Sequence, residues 1–344
     1  VARRALVSGG AGYFGRVVVE ALRARDYEVT VFDLADADGR HEGVRFVRGD
    51  IRDSLAVLRA SEGMDVIHHN VAAVPIVKDD SLFEAVNVGG ARNVLEAARV
   101  HAVKKTVLVS SSAVFGVPAR NPVDATVLPR PREAYGEAKL RAEHLARTYV
   151  DRGVDVSIIR PRTILGRDRL GIFQILFELV RRGRPIYVLG RGDNRYQFVH
   201  ADDLADACVR AGELAGPAVF NVGASRFGTM REALHALVRH AGTGSPVRSL
   251  PMRPMETVME VASRLGLSPL GAYHSLMYGR EMYFDLAPVE DALGWRATRS
   301  NEEMLIESYE HYVENRDEIR RRRGASSHRS PIRFGLLRLL ELLP

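Results

Sequence analysis

Tyr135 and Lys139 stand four positions apart in Tyr135-Gly-Glu-Ala-Lys139, just after the proline-rich loop Val127-Leu-Pro-Arg-Pro-Arg132. On a helix, residues i and i+4 share a face, so the phenol and the ammonium can point into one cleft. A compact ammonium beside a phenol stabilises the phenolate and draws a group of ordinary pKa about 10 toward the range of a working base. The choice of cation is informative: of 49 lysine and arginine residues only four are lysine (Lys78, Lys104, Lys105 and Lys139). Taken alone, the pair is equally well an exposed i,i+4 contact on an amphipathic helix. The elements that must position it decide between the two.

The amino-terminal stretch reads as strand, glycine turn, helix: Ala5-Leu-Val-Ser8, then Gly9-Gly-Ala-Gly-Tyr-Phe-Gly15, then Arg16 to Arg23. Gly9 and Gly12 allow a tight turn and a close approach to a diphosphate, Gly15 allows close helix packing, and the helix start offers free N–H groups and a positive dipole. Tyr13 and Phe14 lie inside this turn and count with it as cofactor-binding candidates. The next strand, Glu28 to Phe32, runs into Asp33, placed to accept hydrogen bonds from both ribose hydroxyls of an adenosine. Leu34 follows, not arginine, so a 2′-phosphate would meet an uncompensated carboxylate and NAD is expected over NADP.

The alternation continues with strands at Val44 to Val47, Asp65 to His68 and Thr106 to Val109, and helices at Asp53 to Ala60 and Ser81 to Val100. Asp50 and Ile51 fall at a strand's carboxyl end, where an adenine can be packed and hydrogen-bonded. Repeated βα units predict an α/β, Rossmann-type doubly wound parallel sheet with its ligand crevice at the carboxyl ends of the strands. A smaller, interleaved C-terminal substrate domain completes the expected architecture. The boundaries fall at 1–163 for the NAD-binding domain, with 197–223 returning to it, 164–196 and 224–312 for the substrate domain, and 313–344 for a tail.

On these motifs the chain resembles the extended short-chain dehydrogenases/reductases of the NAD-dependent epimerase/dehydratase family, sugar-nucleotide 4-epimerases in particular, over about residues 4 to 310. The supporting residues are the glycine turn, Asp33, Asp50-Ile51, Asn87, Ser110-Ser-Ser-Ala-Val-Phe-Gly116, Tyr135-x-x-x-Lys139, Arg160-Pro161, Arg195-x-x-Phe-Val-His-x-Asp-Asp203, Phe220-Asn-Val-Gly223 and Leu293-Gly-Trp295. The resemblance implies that Ser111, four positions before Phe115, is catalytic with Tyr135 and Lys139, and Ser112 is the residue to test if the register differs. It implies that Tyr135 takes a proton from a substrate hydroxyl, that Ser111 steadies the same oxygen as it becomes a carbonyl, and that the carbon's hydride passes to the nicotinamide. Lys139 then holds the ribose, Asn87 and Pro161 join the cofactor set, and a homodimer is expected.

Departures from the family pattern narrow the chemistry. The resembling 4,6-dehydratases place Asp-Glu after the catalytic hydroxyl, whereas Ser112 and Ala113 stand here, which disfavours an elimination. Phe115 replaces the usual tyrosine, removing a hydroxyl that can contact substrate. Thr163 stands where nucleotide-sugar enzymes carry an asparagine, while Arg195 matches a diphosphate ligand and Arg280 is a weaker second candidate. With Ser112, these form the substrate-binding set. Two substrate classes follow: a nucleotide sugar acted on at C4 through a transient ketone, or a sterol-like or other bulky apolar alcohol. A cofactor-binding scaffold without catalysis is a third alternative that Ser111, Tyr135 and Lys139 together argue against.

Composition bounds the rest. The net charge of +6 equals that of Arg316 to Arg338 alone, with eight arginines against Asp317 and Glu318, so a general nucleic-acid face is not expected. The lone Cys208 excludes an intramolecular disulfide, no metal site is expected, and His68 and His69 read as strand-end packing. With no signal or membrane-spanning run in the sequence, a cytoplasmic protein is expected. The tail from Arg320 to Leu343, basic and then apolar, suits either the anionic inner face of a membrane or a docking helix.

Overall fold

A computed structural model describes residues 2–35, 43–74, 79–169, 171, 173–252, 254, 255, 257, 277 and 279–321. Its centre is a seven-stranded sheet of order β10-β6-β5-β4-β1-β2-β3 in which every neighbouring pair is parallel. The strands are β1 (Arg4–Ser8), β2 (Glu28–Asp33), β3 (Arg45–Arg48), β4 (Val66–His69), β5 (Lys105–Val109), β6 (Val156–Pro161) and β10 (Ala218–Val222). The order reverses between β1 and β4, which opens a crevice at their carboxyl ends.

Alternation along β1 shows how both faces are covered. Ala5 and Val7 face a cluster with Val18, Val19 and Leu22 of α1 (Tyr13–Arg23) and Ala205 and Val209 of α7 (Ala201–Glu213). Leu6 faces the other cluster, with Val57 of α2 (Ser54–Ala60), Val94 and Leu95 of α4 (Gly90–Val100), and Ala142 and Ala146 of α5 (Ala134–Val150). Because helices lie on both sides, β5 and β6 are buried at every residue, and their sequences read as largely apolar runs with a few buried polar groups. Cys208 sits in α7, fully buried in the core, where burial pushes its thiol pKa up and keeps it unreactive.

Two expected elements differ in detail. Helix α1 begins at Tyr13, three residues before the expected start, because Gly12 adopts the extended cap conformation directly after the turn. The helix expected over 81–100 is α3 (Asp80–Leu82), a π-helical segment Phe83–Gly89, and then α4. Gly90 explains the tight fit there, since a Cβ on it would lie 2.9 Å from Ile51. The π-turn also carries Asn87 to the buried side.

Beyond the main sheet, β7 (Thr163–Leu165) pairs with β9 (Phe198–His200), and β8 (Ile186–Leu189) with β11 (Val247–Leu250). Helices α6 (Phe173–Arg181), α8 (Met230–Ala241) and α10 (Asn301–Glu314) pack with them around Phe177, Phe198, Leu237 and Met304. Both α8 and α10 start with reciprocal capping boxes, Thr229 with Glu232 and Ser300 with Glu303. Trp295, just beyond α9 (Ala287–Leu293), is fully buried and donates to the Asp203 carbonyl at 2.8 Å, locking the carboxyl-terminal part of the chain to α7. The first turn of the expected tail, α11 (Arg316–Arg321), is anchored through Arg316 to buried Glu178. The basic and apolar stretch after it, 322–344, lies outside the described residues. Among the described residues no helix is long and apolar enough to cross a membrane.

The glycine turn is the least tolerant point of this frame. A Cβ on Gly15 would lie 2.0 Å from the Gly9 carbonyl oxygen and 2.7 Å from the Gly10 Cα, atoms of backbone that cannot rotate away. Gly15→Ala is therefore expected to cost at least about 1–3 kcal/mol in denaturant unfolding. A wild-type unfolding midpoint would contradict this packing.

Candidate active site

Helix α5 begins where Glu133 caps it, its carboxylate accepting from the Tyr135 N–H (2.9 Å) and the Gly136 N–H (2.7 Å). The cap fixes the first turn and with it Tyr135, which is buried and meets the Phe83 ring edge-on at 5.9 Å. One turn on, Lys139 is buried and donates from Nζ to the Val109 carbonyl at 2.9 Å. Burial pushes its pKa down to about 8, against the opposing pull of the Glu143 carboxylate. Glu143, a further turn along, is wholly buried; it pairs with Arg160 (2.5 and 2.9 Å) and accepts from the Ser110 hydroxyl at 2.6 Å. One face of α5 thus carries phenol, ammonium and carboxylate in successive turns. The sequence reading stopped at Lys139; extending the same i+4 step to Glu143 was the available signal.

The serine run sits where β5 ends against this helix. Ser111 has extended backbone and caps the 3-10 turn Ser112–Phe115, its Oγ accepting from the Ala113 N–H at 3.1 Å. It is half-buried, and its hydroxyl proton remains available to a group in the crevice. Ser112 is buried and accepts from Arg162 Nη1 at 2.9 Å, so it faces the interior. Gly136 sets the spacing between turn and helix, since a Cβ there would lie 2.6 Å from the Ala113 carbonyl oxygen. Phe115 is also wholly buried, between the Arg160 guanidinium (5.1 Å) and the Phe284 ring (5.9 Å). In this chain the Phe115 ring is therefore held by packing.

The crevice beside these groups is built for a dinucleotide. Gly9 has φ of +75°, and Gly12 stands at the helix start with the N–H groups of α1 beyond it. Asp33 ends β2 with its carboxylate accepting from the Ala11 N–H (3.0 Å) and the Leu34 N–H (2.8 Å), and burial raises its pKa above the usual carboxylate value. Phe14 is half-buried and packs onto the core on either side of α1. Ile51 is buried; Asp50 forms a fork with Arg52. Pro161 closes β6. Asn87 commits its amide to Ala73, accepting from its N–H (2.8 Å) and donating to its carbonyl (3.1 Å), and so braces the segment after β4. His68 and His69 are buried, with pKa values pushed down to about 4 and about 3 by burial, and His69 Nδ1 shares a 2.7 Å hydrogen bond with Ser8. Tyr13 Oη, Asn70 Oδ1 and Arg169 Nη1 are among the buried polar atoms that have no hydrogen-bond partner. The glycine cradle, Asp33 and these unsatisfied groups fit NAD.

Across the crevice, Thr163 Oγ1 lies 2.9 Å from Tyr196 Oη. Arg195 is exposed between the rings of Phe227 (5.0 Å) and Tyr283 (4.4 Å). The segment carrying Arg280 lies alongside it, with Asn194 donating to the Arg280 carbonyl (3.3 Å) and the Met282 N–H to the Arg195 carbonyl (3.2 Å). The fold therefore runs the backbone of the weaker candidate, Arg280, beside that of Arg195. It also buries Arg162 over the Tyr196 ring (4.7 Å) and packs Arg169 over the Tyr13 ring (5.5 Å), neither singled out by sequence. Among the described residues no group of three or more His, Cys, Asp or Glu side chains could hold a metal ion.

The profile of the NAD dependent epimerase/dehydratase family matches residues 5–223. An uncharacterised protein of Sinorhizobium fredii is 47% identical over 341 residues, 99% of this chain and 86% of that protein. The UDP-glucose 4-epimerase of Mycolicibacterium smegmatis is 33% identical over 266 residues, covering 71% of this chain and 83% of that enzyme. The human sterol-4-alpha-carboxylate 3-dehydrogenase, decarboxylating, is 31% identical over 217 residues, 62% of this chain and 58% of the human enzyme, so the match spans less than two thirds of the latter. Among solved structures, the UDP-glucose 4-epimerase of Thermus thermophilus in complex with NAD superposes with a TM-score of 0.72 at 27% identity, covering 90% of this chain and 99% of that one. The chain belongs to the NAD dependent epimerase/dehydratase family, an NAD-using group of enzymes built on the Rossmann-type sheet described above.

Proposed function

We propose that this protein is an epimerase of a nucleotide-activated sugar, acting through transient oxidation of a hydroxyl, at C4 by preference. The observation that carries the reading is the buried α5 face opposite Ser111, with no carboxylate in the turn that follows the serine. Positions 112 and 113 are a serine and an alanine, both buried, so the second acid and base that an elimination needs are missing there.

Bound NAD supplies the hydride acceptor and donor. Tyr135 takes the proton from the substrate hydroxyl and later returns it to the ketone. Ser111, its Oγ held by the Ala113 N–H, donates to the same oxygen and steadies charge as it develops there. Lys139, held by the Val109 carbonyl, presents a fixed positive charge on Tyr135's face of α5 and orients the cofactor ribose. Asn87 acts through Ala73, Asp33 holds the adenosine ribose, and the described residues within 164–196 and 224–312 form the substrate side, the rest of those ranges lying outside the described residues. Arg195, exposed between two rings, supplies a guanidinium fork for the sugar nucleotide's diphosphate, with Arg280 on the neighbouring segment as a second candidate. The resemblance to a UDP-glucose 4-epimerase over 71% of the chain supports this assignment. A second reading, dehydrogenation of a bulky apolar alcohol with net release of NADH, is kept because of the similarity to the sterol-4-alpha-carboxylate 3-dehydrogenase.

The test is incubation with NAD and UDP-, GDP- or dTDP-hexoses, following product stereochemistry and NADH absorbance together. An epimer with no net NADH is expected; net NADH from an apolar alcohol, with no sugar isomer, would overturn the assignment. Tyr135→Phe and Ser111→Ala are each expected to lower turnover at least about 100-fold, while titrated NAD affinity changes little. Full turnover in Tyr135→Phe would place the chemistry elsewhere.

Lys139 makes a further prediction. With its pKa lowered to about 8 by burial, the folded cofactor-free chain binds fewer protons than the unfolded chain between about pH 8 and the ordinary lysine value of 10.5. Its contribution to stability therefore rises with pH across that window. In melts without cofactor, the gap between wild type and Lys139→Met is expected to move in favour of wild type from pH 8 to pH 10. A gap independent of pH would contradict the burial of an ammonium at this site.

A further inference from the structure

We infer that Arg169 is a ligand for the diphosphate of the dinucleotide, reaching it from the loop after β7, which packs against Tyr13 of the glycine turn. The inference rests on NAD as the cofactor and is independent of the substrate.

The argument begins with a shortage of charge. Between Gly9 and Gly15 the turn itself carries no lysine or arginine, so within the turn a group of two negative charges meets backbone N–H groups and the α1 dipole, and side-chain cations must come from outside it, as Arg16 of α1 or Arg169 can. Arg169 lies where that shortage would be met. Its guanidinium stacks over the Tyr13 ring at 5.5 Å, and Tyr13 is the first residue of α1. The phenols of Tyr13 and Tyr135 both bear on the Arg169 charge, so its guanidinium lies within electrostatic reach of the glycine turn and of the α5 face. In a dinucleotide bound with its diphosphate on α1 and its nicotinamide beside Tyr135, the interval between the two is spanned by the diphosphate and the nicotinamide ribose.

The local hydrogen bonds point the same way. Arg169 Nε is satisfied by the Ile164 carbonyl at 3.2 Å, whereas Nη1 and the neighbouring Tyr13 Oη are enclosed with no partner. A guanidinium with one edge fixed and another unsatisfied is prepared to make charge-assisted bonds to an anionic oxygen. Burial also lowers the Arg169 pKa to about 10, the direction expected for a cation that lacks a counter-charge. The loop is shaped to hold this position. Asp168 has φ of +62°, the Arg169 N–H returns to the Gly166 carbonyl at 3.1 Å, and a Cβ on Gly166 would lie 2.9 Å from Tyr13 Oη. Because the loop follows β7, which pairs with β9 outside the main sheet, diphosphate binding would tie the substrate side of the crevice to the cofactor side.

Isothermal titration with NAD, ADP-ribose and adenosine tests this without any turnover. Arg169→Met is expected to weaken NAD and ADP-ribose alike, by roughly 10- to 100-fold, and to leave adenosine unchanged because it carries no phosphate. Arg169→Lys is expected to recover part of the loss, since an ammonium restores charge without the fork. Adenosine bound as tightly as by wild type shows that the crevice is intact in each variant; should Arg169→Met fail that control, the comparison is made with Arg169→Lys and Arg169→Gln. Unchanged ADP-ribose affinity in the folded variants would overturn the inference and assign the guanidinium to an anionic group of the substrate. Failure of the epimerase assignment would leave the NAD and ADP-ribose titrations unaffected, so the two are separable.

Discussion

Everything at the centre of this protein depends on keeping one ammonium, that of Lys139, out of water. A buried lysine is costly unless the fold gives it partners. Here it donates to the end of β5 through the Val109 carbonyl and lies one turn from the wholly buried Glu143. Glu143 is itself held by Arg160 from β6 and by the Ser110 hydroxyl. Three elements, α5, β5 and β6, are thereby fixed to one another by polar groups in an otherwise apolar core. Removing one partner would leave the others buried without compensation, which makes the arrangement all-or-none.

That constraint also places the groups of the proposed chemistry. Ser111 follows Ser110 directly, so the hydrogen bond that binds Ser110 to Glu143 fixes the start of the turn that Ser111 caps. Gly136 lets α5 press against the same turn at Ala113. Tyr135 is set by the Glu133 cap on one side and Phe83 on the other. The face of α5 and the serine turn are therefore parts of one rigid body, as acid–base chemistry on a single oxygen requires.

Much of this was legible in the sequence because it follows from periodicity and local chemistry. The glycine turn, Asp33 at the end of β2, the βα alternation and the Tyr135–Lys139 spacing are each set by residues close together in the chain. What was not legible arises from contacts distant in sequence. The enclosure of Phe115 by Arg160 and Phe284 cannot be read from its neighbours in the chain. Ser112 reads as an alternative to Ser111 until Arg162 is found bonded to it from 50 positions away. Asn87 reads as a cofactor ligand, but a π-turn that local propensity does not announce directs its amide to Ala73. Arg169 is one of many arginines in the sequence and is distinguished only by its place over Tyr13.

The central functional claim is that the same hydrogen leaves the substrate carbon and returns to it. The most direct measurement uses a nucleotide-linked hexose carrying deuterium at C4, incubated with the NAD-loaded enzyme. The account predicts the C4 epimer with its deuterium retained and no accumulation of free reduced cofactor. Deuterium appearing in free cofactor together with a released keto product, or lost to solvent, would contradict it.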